Sequence, residues 1–398
     1  MCHSDAVPPP PRRGRQCDRA RALATLGFAL AILVLAAGAS PRSSRAEGAE
    51  RPAVSPSTPA QFLAIAEAAL TKTRHAFWNS RLHWYDERLS GAPSSRPLAT
   101  LWSVLPLFEA IDAVAIADPT AANLAAVRAF AAGAERYYNP ELRPVPGYAY
   151  YPGTRNPNEH TYFDDNGWWE LAFLDAYRAT GDRRDLRDAE RAFRFIAVSG
   201  WDAARGGVWW ETLHLHKTSE PLAAEIYAGF ALYRATGRRT YLATAEKFLA
   251  WADTRSWNAA EHLVGRNAAD GTVLDYVEGP MIGAELELCA IRHAQGRCDR
   301  AEALARAGLA AFSADLDWTP AADMIYLHFV LELYAADGDR AWYDEALGNA
   351  ERAFRDARSS GGFFFKRWDG RRFPSALLQP DAATIALFAW LGGVKAPG

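Results

Sequence analysis

Tyr177-Arg178-Ala179-Thr180-Gly181-Asp182 recurs as Tyr233-Arg234-Ala235-Thr236-Gly237-Arg238, again as Tyr334-Ala335-Ala336-Asp337-Gly338-Asp339, and in degenerate form as His293-Ala294-Gln295-Gly296. Before each copy, apolar residues recur at three- and four-residue spacing, the period of a helix. The glycine supplies the left-handed residue that closes such a helix, a conformation costly for a residue with a Cβ. A second, charged helical run follows within a few residues, over 183–198, 239–254, 299–313 and 341–357. The repeated unit is therefore a helical hairpin with a short turn at one end. The other end carries long, aromatic-rich loops, as at 138–164, 200–217 and 255–279.

Extended along the chain, this reading predicts about twelve helices. They fall near 59–77, 98–116, 120–137, 165–180, 183–198, 219–236, 239–254, 280–295, 299–313, 321–337, 341–357 and 378–392. The run 321–335 is mostly apolar, whereas 341–357 carries six charged residues. That contrast separates helices buried all round from amphipathic ones. Six hairpins closed into a ring give an all-α (α/α)6 barrel over residues 58–393; an open helical superhelix is the architectural alternative. In the ring, all the long loops gather at one end, where a rigid scaffold presents functional side chains.

Outside this pattern lies the N-terminus. Arg12, Arg13, Arg15, Arg19 and Arg21 precede an apolar run from Ala22 to Ala37, and small residues follow. This is the layout of a signal peptide over residues 1–46, with an uncleaved anchor as the alternative. An exported (periplasmic or extracellular) protein is expected, without stable membrane association after cleavage. Removing residues 1–46 takes away seven arginines and two aspartates and shifts the net charge from −3 to −8. Such an acidic chain does not suit a phosphate backbone, so no nucleic-acid partner is expected. Cys2 and Cys17 fall in the removed segment, leaving Cys289 and Cys298. If Gly296 ends the helix carrying Cys289, that residue lies roughly 9 Å up the axis from the turn. A disulfide needs Cα atoms within about 7 Å, so this geometry argues against pairing.

The 14 Trp, 15 Tyr and 19 Phe supply core area, and also flat faces on which pyranose rings can stack. They crowd most closely around Tyr162-Phe163-Asp164-Asp165-Asn166-Gly167-Trp168-Trp169-Glu170, where a long loop enters a helix. Glycosidic cleavage needs two carboxyl groups, one to donate a proton and one to attack or to activate water. Asp164 and Asp165 meet that need. Helix N-terminal donors favour one of them ionised, and desolvation against Trp168 or Trp169 favours the other protonated. The bland alternative makes Asp164 an N-cap and Asp165 a first-turn acid. Other candidates divide more evenly. Trp209 and Trp210 can be core or cleft, Tyr276 can bond a sugar or cap a helix, and Lys217 can touch substrate or solvent. Glu225 reads as a buried structural carboxylate. His214-x-His216 is at most half a metal site.

The segment Tyr162–Tyr177, YFDDNGWWELAFLDAY, closely resembles the Asp-Asp motif of glycoside hydrolase family 76. The resemblance extends to Gly206-Gly207-Val208-Trp209-Trp210 with Lys217, and to Tyr276-Val277-Glu278-Gly279 with Ile282-Gly283-Ala284. It spans roughly residues 160–300 in fragments. It implies an (α/α)6 barrel and a retaining α-1,6-mannanase, with Asp164 as nucleophile and Asp165 as general acid/base. Tyr162, Asn166, Trp168, Trp209, Trp210, Tyr276 and Glu278 would contact an oligo- or polysaccharide. No metal or organic cofactor is implied, and a monomer is expected. The chain departs from the family at Val277-Glu278, where Asn-Gln is usual, and lacks a lysine before the tenth helix. The alternatives are another sugar enzyme on the same barrel (an epimerase or unsaturated-uronyl hydrolase) and a transglycosylating or glycan-binding relative.

Overall fold

The computed structural model describes residues 56–89, 96–370 and 376–397; the expected signal segment lies outside them. Twelve helices run in order: α1 (Pro59–Ala76), α2 (Leu101–Ala117), α3 (Ala121–Ala134), α4 (Phe163–Thr180), α5 (Arg183–Phe195), α6 (Ser219–Thr236), α7 (Arg239–Arg255), α8 (Asp275–Arg292), α9 (Gln295–Ala311), α10 (Pro320–Asp337), α11 (Arg340–Asp356) and α12 (Leu378–Gly393). The even-numbered helices form an inner ring. Each packs on the next, and α12 packs back on α2, so the ring closes as an (α/α)6 barrel. Burial follows sequence character. In α10 nearly every residue from Pro320 to Tyr334 is buried, whereas α7 buries Leu242, Ala245, Phe248, Leu249 and Ala252, one stripe at helical spacing.

The glycine turns behave as predicted: Gly181, Gly237 and Gly338 each end a helix at φ of 67°, 72° and 74°. The sixth pair is not a sequence hairpin. It is made by the first and last helices, α1 and α12, with Phe62 and Phe388 in ring contact at 5.2 Å. The Thr73 hydroxyl also donates to Asp381 Oδ2 at 2.6 Å across this seam.

Two expectations require correction. The helix carrying Cys289 ends at Arg292, and His293 rather than Gly296 takes the left-handed cap at φ 51°. The next helix starts at Gln295, so Cys289 and Cys298 face each other across a two-residue turn. Their Cα atoms are 5.3 Å apart and a disulfide joins them. The same helix starts at Asp275, five residues before the expected 280. Pro280 lacks an N–H and crowds the preceding turn, which disfavours it inside a helix. Val277, Met281 and Ile282 around it are wholly buried, and that packing carries the helix through the proline.

Strand structure among the described residues is limited to three two-residue hairpins and isolated bridges. The hairpins pair Trp78–Asn79 with Trp84–Tyr85, Tyr138–Asn139 with Gly147–Tyr148, and Trp257–Asn258 with Leu263–Val264. Each follows an outer helix, and each turn is nucleated by an asparagine side chain. Asn79 Oδ1 accepts from the N–H groups of Arg81 and Leu82, Asn139 Oδ1 from Glu141, and Asn258 Oδ1 from Ala260 and Glu261. Asp202 does the same in the loop after α5, accepting from Ala204 and Arg205. These turns stiffen the loops that carry the chain back to the inner helices.

Candidate active site

All six inner helices begin at the loop-rich end. Their second residues are Trp102, Asp164, Glu220, Tyr276, Ala321 and Gln379. Four of them, Trp102, Asp164, Glu220 and Tyr276, bring reactive or aromatic groups to the mouth.

Tyr162 is the N-cap of α4, so Asp164 and Asp165 lie in its first turn and Asp164 is not the cap. Asp164 is half-buried and held from two sides. Its Oδ1 accepts the N–H of Asp165 at 2.9 Å, and its Oδ2 accepts the indole N–H of Trp210 at 2.7 Å. Burial and the neighbouring Glu220 push its carboxyl up to about 7, against the pull of the Trp210 bond. Asp165 is more deeply buried, and desolvation together with the charge of Asp164 drives its carboxyl well above the usual range. Two carboxyls thus sit side by side with environments that separate them. One is stabilised as an anion by donors; the other is disposed to keep its proton. Such a separation suits a pair in which one group attacks and the other donates a proton.

Aromatic rings surround the pair. Tyr162 packs between Tyr150 at 5.8 Å and Trp210 at 5.1 Å. Tyr276 packs over Trp168 at 5.5 Å and against Trp318 at 5.0 Å. Trp168 also meets Trp102 at 6.4 Å and is almost wholly buried, so it forms a floor rather than a face open to solvent. The Tyr276 hydroxyl lies 3.4 Å from Glu220 Oε1, which Arg266 Nε approaches at 3.5 Å. Burial raises the Glu220 carboxyl, and Arg266 opposes that rise.

Several expected contacts lie elsewhere. Asn166 is fully buried; its Oδ1 accepts the Tyr148 N–H, and its Nδ2 donates to the carbonyls of Tyr148 and Tyr162. Glu278, also fully buried, accepts the Val264 N–H at 2.8 Å. Both are the fourth residue of an inner helix, and Asp381, fourth in α12, likewise accepts the Phe364 N–H at 2.7 Å. These three side chains pin an incoming loop to a helix start, although Glu278 Oε2 is left without a partner. Trp209 stacks on His214 at 5.2 Å beneath the Lys217 ammonium. Lys217 is bound to Asp202 and the Gly206 carbonyl, both at 2.6 Å. His214 Nε2 sits 3.1 Å from the Ser199 carbonyl, while His216 packs on Trp210. The two histidines belong to no metal-ligand cluster among the described residues. Glu225 is buried beside Glu170, and burial raises both carboxyls.

Sequence reasoning missed Glu220, Arg266, Trp102, Trp318 and Tyr150. Aligning the inner-helix starts would have found Trp102 and Glu220, which share a position with Asp164.

Comparison with known proteins bears on the chemistry. The family model Glycosyl hydrolase family 76 matches residues 145–322, a span that contains the Asp pair, Trp210, Glu220 and Tyr276. No curated protein sequence matches the chain. Among solved structures, a family 76 α-mannanase of Bacteroides thetaiotaomicron superposes with a TM-score of 0.75 at 18% identity, covering 83% of this chain and 95% of the other. An inactive variant of an α-1,6-mannanase from Salegentibacter sp. HEL1_6, with two adjacent aspartates replaced by alanine and α-1,6-mannotetrose bound, superposes at 0.69 with 16% identity, covering 83% and 98%. A D-mannose isomerase superposes at 0.62 with 13% identity, covering 86% and 99%. The barrel alone therefore does not choose between hydrolysis and isomerisation; the family match does.

Proposed function

Starting from a glycoside hydrolase with family 76 likeness over residues 145–322, we propose that the protein is an exported, monomeric, retaining endo-α-1,6-mannanase. Asp164 is the nucleophile and Asp165 the general acid/base. The observation that carries this reading is the unequal treatment of the two carboxyls. Asp164 accepts the Trp210 indole N–H and a helix N-terminal N–H, which favour the attacking anion against the rise that burial imposes. Asp165 lies deeper, and burial together with the charge of Asp164 raises its carboxyl, which favours the protonated form. In the first step Asp164 attacks the anomeric carbon while Asp165 protonates the departing glycosidic oxygen. In the second, Asp165 takes a proton from water, which displaces Asp164 from the sugar. Tyr162, Trp210, Tyr276 and Trp318 supply faces for the sugar rings. Sequence supports export through residues 1–46; no helix among the described residues is long and apolar enough to cross a membrane. The α-1,6-mannan specificity rests on the neighbours that carry that description.

Purified protein should release short oligosaccharides from α-1,6-mannan. Activity confined to dextran or unsaturated uronides, or none on any α-glycan, would end this reading.

The pair also sets a pH profile. As pH rises through about 7 Asp164 ionises and kcat/KM climbs; it falls again when Asp165 loses its proton. Trp210→Phe removes a donor to the charged form of Asp164, and such a bond is worth about 1.5–3 kcal/mol. At about 1.4 kcal/mol per pH unit, the acid limb should move about one to two units upward. Activity at pH 6 should then fall by ten- to a hundredfold, with far less loss at pH 8. A uniform loss with an unmoved limb would show that Trp210 only packs.

A further inference from the structure

We propose that the barrel interior, below the active-site floor, holds one transition-metal dication of the zinc or manganese type on Glu109, Asp175 and His328. These residues come from α2, α4 and α10, three different staves of the inner ring. One ligand atom from each lies within 4.8 Å of the others, and all three residues are buried. Sequence analysis implied no metal, because the three positions are more than sixty residues apart along the chain and share no motif.

The second observation is a set of unanswered polar atoms. Glu109 is 5% exposed and His328 6%, and both line a small cavity. Glu109 Oε2 and His328 Nε2 have no hydrogen-bond partner there. Asp112, one turn along α2 from Glu109, is fully buried with both carboxyl oxygens unpartnered. Buried carboxylates without donors or cations are costly. The neighbourhood offers little compensation. Arg178 lies 3.9 Å from Asp175 Oδ1 but is drawn to Glu332 at 2.7 Å, and His328 Nε2 is 3.6 Å from that same Glu332. Arg178 and His328 thus answer Asp175 and Glu332 and leave the unpartnered oxygens of Glu109 and Asp112 unanswered. A dication bound between Glu109, Asp175 and His328 would satisfy the orphaned oxygen and the orphaned imidazole nitrogen together.

The donor set selects the ion. One imidazole with two carboxylates suits zinc or manganese, whereas calcium favours an all-oxygen shell. The His328 ring is already oriented, stacked on Trp390 with centroids 3.7 Å apart and planes 8° from parallel. The cavity reaches Trp168, the floor beneath Tyr276. Asp175 lies ten residues beyond Asp165 on the same helix, roughly 15 Å along its axis. The ion therefore stays clear of the reacting atoms and acts by tying three staves of the barrel together.

The test uses the full chain, stripped with a chelator and then given zinc or manganese chloride alone. Elemental analysis after desalting should find about one ion per chain. The thermal midpoint should rise by at least about 3 °C, since a ligand bound only by the folded state stabilises it. In His328→Gln or Glu109→Gln both effects should be lost, with helical circular dichroism retained. Fewer than about 0.2 ions per chain together with an unmoved midpoint overturns the proposal. So does full retention of the ion by folded His328→Gln, which would place it elsewhere. If neither variant folds, anomalous scattering from crystals of the unaltered protein grown with manganese decides: a peak between the three side chains supports the site, and its absence overturns it.

Discussion

Asp164→Ala is expected to abolish hydrolysis of every substrate, whereas Asp165→Ala should spare the first step on an activated aryl glycoside. Loss of Asp164 removes the atom that attacks, and no leaving group compensates for that. Loss of Asp165 removes proton transfer, worth roughly 10²–10⁴ in rate, and this matters little when the leaving group departs unprotonated. On α-1,6-mannan Asp165→Ala should therefore lose at least about a hundredfold in kcat/KM. On the aryl substrate it should show a burst followed by slow turnover, and added azide should restore turnover by attacking the glycosyl-enzyme without general-base help. Asp164→Asn separates this from a purely structural role. The amide has a single acceptor oxygen, so it can keep the Asp165 N–H bond at the helix start while losing the Trp210 indole bond, and a residue needed only for that helix-start bond would survive the change. An Asp164→Asn protein cleaving glycan near the parent rate would remove Asp164 from the chemistry.

The fold was legible because its punctuation is local. Gly181, Gly237 and Gly338 each mark a helix end that any tertiary context must respect, since the left-handed turn they adopt penalises a side chain. Where the local signal was weak, tertiary packing decided. His293 adopts the left-handed cap that Gly296 was expected to supply, and the turn tightens enough for Cys289 and Cys298 to bond. Pro280 should have marked a boundary, but a helix surrounded by its neighbours on all sides retains its course through the missing hydrogen bond. Pro106 sits at the corresponding sixth residue of α2 and is tolerated in the same way.

The site was legible in part for a similar reason. Asp164 and Asp165 stand out as adjacent acids at a helix start flanked by rings, and the second position of α4 does face the mouth. Glu220 carries the same position in α6 but stands alone between Ser219 and Pro221, with no aromatic cluster in sequence to mark it. Asn166 and Glu278 were expected to touch substrate because polar residues inside a motif suggest ligand contact. Each instead satisfies a backbone N–H of the loop that delivers its helix, Tyr148 in one case and Val264 in the other. A motif can be retained for the strand it fastens as well as for the sugar it touches. The departure at Glu278 falls on such a fastening position.

Phe388→Ala is expected to cost about 3–5 kcal/mol, the usual range for emptying a fully buried phenylalanine site. This residue bears on how the ring closes. Five helix pairs are joined by turns of a few residues, so their packing is assisted by short connections. The sixth pair, α1 with α12, joins segments more than three hundred residues apart, and packing must hold it without such help. Phe388 is wholly buried against Phe62 at 5.2 Å and edge-on to Phe364 at 5.3 Å. Gly392 continues the contact: a Cβ there would lie 2.7 Å from Leu63 Cβ, so the two helices approach too closely to slide and refill a cavity. The lost ring should therefore leave a void rather than a relaxed seam. For about 340 folded residues, with an unfolding entropy near 2 cal/mol/K per residue, the thermal midpoint should fall by about 5 °C. Limited proteolysis should release α1 earlier than in the parent, because the seam opens before the hairpins do. A denaturation midpoint unchanged to within about 1 kcal/mol would show that α1 is held by something other than this contact, and that the barrel closes through α2 and α12 alone.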